Sequence, residues 1–176
     1  VRLDLAAEAG ELLQVLVAKD PNNVEAAELW VLLEPTAEGR ERRARELHDK
    51  APTAWLPHKL VGDLAFVRGD LQGALDAHRL SLAIHPADDT MTMILHELDA
   101  LGRPEEAVKF AEQIPGVQRR SAAVRWNAAN VLLRGGRIKA ATQLLEALLA
   151  DRSLPHETRL NANMLLSEVF ASTRAR

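Results

Sequence analysis

His96-Glu97-Leu98-Asp99-Ala100 begins like a zinc-protease helix, in which two histidines four residues apart share one face and hold the metal. Ala100 stands where the second histidine is required, so that ligand pair fails. The remaining histidines, His48, His58, His78, His85 and His156, are scattered. His78 and His85 lie two helical turns apart, too far to chelate one ion unaided. No phosphate-cradling G-x-x-x-x-G-K-[ST] loop occurs, and no G-x-S-x-G elbow to expose a nucleophilic serine. Without any cysteine, thiolate ligands, disulfides and cysteine nucleophiles are excluded. Carboxylates are numerous, but their number alone makes no acid–base pair. The expectation is a protein that is not an enzyme and takes neither a cofactor nor a metal.

Three stretches invite binding chemistry instead. Arg68-Gly69-Asp70 is an adhesion-type tripeptide, yet glycine suits a bend and aspartate suits the cap of the helix after it, so the corner alone accounts for it. Arg40, Arg42, Arg43 and Arg45 suggest a basic patch for nucleic acid or lipid. Glu38, Glu41 and Glu46 are interleaved with them and point to a solvated face with local ion pairs. The "LRGGR" segment at 133–137 is like an RNA-binding arginine–glycine tract, but it occurs once and at another corner. With 22 basic and 25 acidic residues the net charge is −3, which gives no general attraction to nucleic acid or anionic lipid. No apolar run approaches the roughly 18–20 residues that span a bilayer, so direct membrane insertion is not expected.

The elements that must carry these residues are helices. Apolar residues make up 47% of the 176, aromatics only 3%, and tyrosine is absent. Such a core of Leu, Ala, Val and Ile favours closely packed helices. Hydrophobic spacing and stop signals predict helices over 4–19, 23–34, 37–50, 54–68, 71–85, 88–101, 104–113, 118–134, 137–150 and 156–172. Ser153 is a candidate cap for the last, with Pro155 in its first turn and Leu160, Met164, Leu165 and Val169 on one side.

The corners repeat. "GDLQGALDAHRLSLAIHP", "GRPEEAVKFAEQIP" and "GRIKAATQLLEALLADRS" each start at a glycine (Gly69, Gly102, Gly136) and place an alanine five residues on (Ala74, Ala107, Ala141). The alanines are 33 and 34 residues apart, the period of stacked helical hairpins. Glycine permits the bend, alanine lets the second helix come close to the first, and proline, as at Pro86, stops the helix. One such hairpin cannot bury its own apolar face, so neighbours must stack on it. "AGELLQVLVAKDPNN" and "ARELHDKAP", ending at Pro21 and Pro52, read as two further second helices.

This pattern resembles the tetratricopeptide repeat (TPR), a helix–turn–helix unit of about 34 residues. "DPNNVEAAELW" and "GDLQGALDAHRLSLAIHP" are close to its usual wording, although Ala65, Leu98 and Leu132 replace its tyrosine. The resemblance implies an all-α, right-handed superhelix of stacked antiparallel hairpins. Its expected divisions are a second helix of an upstream repeat (1–22), a repeat short by roughly three residues (23–53), full repeats (54–87, 88–121, 122–155) and a capping helix (156–176). Because the chain starts at Val1, it is expected to be part of a longer protein.

The family generally binds peptides or partner helices on the inner wall made by each unit's first helix, so the implied function is an interaction scaffold with a protein or peptide partner. The inner-wall candidates are Lys59, Asp63 and Phe66, then His96 with Thr92 beside it, and Trp126, Asn127, Asn130 and Arg134. Trp126 offers a flat apolar anchor, the alternative being packing between repeats, and the asparagines offer paired amide hydrogen bonds to a peptide backbone. Lys59 fits one slot of the family's carboxylate clamp, but Asp63 stands where asparagine belongs and would repel a carboxylate. Alternatives are a homo-oligomer built by stacking end helices, or a recruiting module fused to an enzyme. The frequent Ala, Leu and Arg suit a bacterial source, and either cytoplasm or periplasm tolerates a cysteine-free chain.

Overall fold

A computed structural model describes residues 2–174. Among them are ten α-helices and no strand: α1 (Arg2–Lys19), α2 (Val24–Leu32), α3 (Ala37–Lys50), α4 (Trp55–Arg68), α5 (Leu71–Ile84), α6 (Asp88–Ala100), α7 (Pro104–Gln113), α8 (Ala122–Arg134), α9 (Ile138–Ala150) and α10 (His156–Arg174). No helix among the described residues is long and apolar enough to cross a membrane. The chain divides into two compact units, Val1–Thr90 and Met91–Arg176.

In the first unit, α1 to α5 pack each against the next. Their core gathers Val17, Ala26, Ala27, Trp30, Val31, Ala44, Leu47, Leu56 and Leu60, with Trp55 and Leu64 against its edge. The helix starts are fixed by side chains that satisfy otherwise orphaned amides. Asn23 accepts from the Ala26 amide at 3.0 Å, Thr36 from Gly39 at 3.0 Å and Asp70 from Gly73 at 3.0 Å. Arg68 is paired with Asp70 at 3.0 Å and with Glu41, so the tripeptide's two charges hold a corner together. In the second unit, α7 packs on α8, α8 on α9 and α9 on α10. Leu98, Ala107, Val124, Ala128, Leu132, Leu144, Leu145 and Leu148 are buried there.

The three corners named from the sequence share one geometry. Gly69, Gly102 and Gly136 have φ of 85°, 67° and 71°. At each, the amide after the glycine donates to a carbonyl five residues back: Asp70 to Ala65 at 2.9 Å, Arg103 to Leu98 at 2.9 Å and Arg137 to Leu132 at 2.8 Å. This left-handed glycine end pairs carbonyls that would otherwise be orphaned and turns the chain back. The alanines five residues on are buried: Ala74 and Ala141 at 0% exposure and Ala107 at 2%.

Three expectations change. The helix predicted over 118–134 is a 3-10 turn at Val117–Arg119 followed by α8, because Ser121 accepts from the Val124 amide at 3.4 Å and starts the helix there. Ser153 does not cap α10. Its hydroxyl donates to Asp151 at 2.6 Å, and α10 starts at His156. On α10, Val169 is buried beside Ala162 and Leu166, whereas Leu160 and Met164 are exposed. Helical spacing alone had placed all four predicted residues on one side.

Gly69→Ala is expected to cost about 1 kcal/mol, since only glycine holds that φ without strain. Differential scanning calorimetry should show a melting temperature lower by roughly 2–4 °C.

Candidate functional site

Of the residues expected on the inner wall, Lys59, Asp63 and Phe66 lie in α4 of the first unit. The Lys59 ammonium donates to Asp63 Oδ2 at 2.7 Å and stands 3.4 Å from Asp89 Oδ2. His78 of α5, with no exposed side chain, places Nε2 3.2 Å from Asp63 Oδ1. The imidazole fits only because residue 62 is glycine: a Cβ there would lie 2.6 Å from His78 Nε2. Burial pushes the Asp63 carboxyl up, but hydrogen bonds from His78 and Lys59, with the attraction of Lys59, outweigh it and hold the carboxyl below its ordinary 3.8. Burial likewise disfavours the Lys59 ammonium, yet its bonds to Asp63 and the nearby Asp89 raise its pKa above 10.5. Phe66 is half-buried. Lys59 therefore divides its charge between two carboxylates of its own unit.

The second unit brings the other five together. A concavity of about 350 Å³ is lined by Leu95, His96 and Asp99 of α6 and by Trp126, Asn127, Asn130, Val131 and Arg134 of α8. Spacings of three and four residues put each set on one helical face. Leu95 and Val131 are buried, and Trp126 is half-buried.

The polar groups above them are ordered. The asparagine amides donate from Nδ2 to carbonyls one turn back, Asn127 to Ala123 and Asn130 to Trp126, both at 2.9 Å. An amide facing a carbonyl must present its nitrogen, which settles both orientations. Asn127 Oδ1 lies 2.9 Å from His96 Nε2 and takes its proton as acceptor, while Asn130 Oδ1 has no hydrogen bond among the described residues. Arg134 Nη1 meets Asp99 Oδ1 at 2.6 Å, both side chains about half exposed (56% and 50%). Thr92, half-buried in α6, does not line the concavity.

Arg125, next to Trp126 but buried, sets the rotation of α8. Its guanidinium donates to the Ala147 carbonyl at 3.1 Å and to Asp151 Oδ2 at 2.8 Å, tying α8 to the end of α9. The Ser153 hydroxyl first, and then Arg125, hold the Asp151 carboxyl below its ordinary range.

No protein-family model matches the sequence, and no curated protein matches it. Solved structures do. A TPR protein, YrrB, described as having an unusual peptide-binding site, is similar at 13% identity with a TM-score of 0.70, over 95% of this chain and 86% of that one. Yeast Tom70 is similar at 18% identity with a TM-score of 0.73, over 98% of this chain and 38% of Tom70. A thermophilic TPR protein from Thermus thermophilus, TTC0263, is similar at 14% identity with a TM-score of 0.62, over 94% and 92% of the two chains. This chain has the tetratricopeptide-repeat fold.

On that TPR framework, two participants escaped the sequence reading. Asp99, three residues after His96 and so on the same face, neutralises Arg134. His78 belongs to a second helix, where no inner-wall rule looks, yet it completes the Lys59–Asp63 cluster. The histidines are also less scattered than their numbering suggests, since the His48 and His58 rings meet edge to face at 4.6 Å. Among the described residues no group of three or more His, Asp or Glu side chains is placed to hold a metal ion.

Asp63 gives a pH signature. Its carboxyl is held below 3.8 in the native state, so the unfolded chain takes up that proton more readily. Its stabilising contribution is complete above the unfolded value and is lost as pH falls through the native one. Asp63→Asn should cost about 1 kcal/mol near neutral pH. Urea denaturation of the variant should show a shallower loss of stability than the parent below about pH 4.

Proposed function

We propose that this TPR chain is a protein-interaction scaffold that takes a peptide or an extended partner segment in the concavity between α6 and α8. One observation carries the reading: His96, Asp99, Trp126, Asn127, Asn130 and Arg134 from two helices converge on one space. Trp126 supplies the rigid apolar surface typical of binding hot spots. Asn130 Oδ1 and the second amide hydrogens of both asparagines match a peptide's alternating donors and acceptors.

The contacts that a ligand must exchange are weak. Arg134–Asp99 is a half-exposed pair, of a kind worth about 0.2–1 kcal/mol, so it opens at little cost. A space of about 350 Å³ suits a few side chains better than a large cofactor. The peptide-binding site ascribed to YrrB belongs to a protein of like fold and supports the reading by analogy only.

A library of acetylated, amidated peptides titrated into ¹⁵N-labelled protein should shift the Trp126 indole and the Asn127 and Asn130 side-chain amide signals. Trp126→Ala and Asn130→Ala should each weaken a binding peptide about tenfold or more, with helicity by circular dichroism unchanged. Peptides that bind both variants as well as the parent would place the site elsewhere.

A further inference from the structure

α1 turns its leucines the wrong way for a helix that packs only within its own unit. Leu5, Leu12, Val15 and Leu16 are 60, 68, 53 and 47% exposed, whereas Val17 is buried and Leu13 half-buried against the core. Leu5, Leu12 and Leu16 are seven and four residues apart and so form a single stripe on the helix. A run of this kind on a soluble protein marks a surface that another element covers.

The charges along its edge say what that element is. Glu8 and Lys19 are eleven residues apart, close to three full turns, so both lie on the same border of the stripe. Both are exposed, and neither makes an ion pair with another described residue. Two such helices packed antiparallel about a two-fold axis bring like borders together. The register that sets Leu12 on Leu16 of a second copy then sets Glu8 opposite that copy's Lys19, twice by symmetry. A parallel pair would instead set this border against the opposite border of the second copy and form neither pair.

We infer that the exposed face of α1 is the contact of an antiparallel homodimer, with Leu12 and Leu16 at its centre and reciprocal Glu8–Lys19 pairs at its border. The contact belongs to the first unit and the concavity between α6 and α8 to the second, and the proposal does not depend on that site.

Sedimentation equilibrium of the chain tests this. The parent should dimerise at concentrations up to about 100 µM. Leu12→Glu should be monomeric with unchanged helicity. Glu8→Lys should weaken the dimer about tenfold, and Glu8→Lys with Lys19→Glu should restore it to near the parent value. A parent that stays monomeric overturns the proposal. So does a dimer indifferent to the charge reversals, or one that the double reversal fails to rescue. Binding of a different helix to this face without self-association gives the face to another occupant and overturns it as well.

Discussion

Two helices joined by a bend of two or three residues can bury a shared face only if their axes come close, and closeness is set by side chains that barely exist. Ala74, Ala107 and Ala141 occupy that contact without measurable or with negligible exposure. A left-handed glycine directs the chain into each bend. The rest follows from this packing. A hairpin held so tightly is too thin to enclose a core of its own, so its outer apolar residues must be covered by the next hairpin. Leu98, Leu132, Leu144 and Leu148 are buried, as such covered layers require.

The same packing decides which residues are left for binding. On α8, Val124, Ala128, Leu132 and the buried Arg125 face the interior. Trp126, Asn127, Asn130 and Arg134 then have to line the concavity opposite α6. Arg125 carries the cost of a buried charge, which its carbonyl and carboxylate partners offset. In return it fixes the helix's rotation at the end where Trp126 sits. The first unit uses comparable residue types differently. Lys59, Asp63 and His78 close on one another, so their polarity is spent inside the fold.

Helix positions were largely legible because local signals and tertiary packing agree in repeat proteins. Glycine corners, cap residues and apolar spacing all name the same boundaries. The discrepancies arise where a nearby polar group competes for a cap, as Asp151 does for Ser153 and as Ser121 does by starting α8 late. The candidate site was legible as a set of faces and illegible as a set of partners. Helical spacing places His96, Asn130 and Arg134 on a wall, but the pairing of Arg134 with Asp99 and of His96 with Asn127 joins residues 31 to 35 positions apart. Similarly, Lys59 and Asp63 were recognisable as one turn apart, yet the buried imidazole that binds Asp63 comes from the neighbouring helix.

Position 62 carries a consequence for descent. Because any β-carbon there would collide with the imidazole of His78, the pair forms a single heritable unit. A lineage that gains alanine at 62 first must pass through a strained intermediate. One that first shrinks residue 78 relieves the crowding but leaves Asp63 short of a donor. Aligned relatives should therefore show glycine with histidine, or a larger residue with a smaller one, and few mixtures of the two.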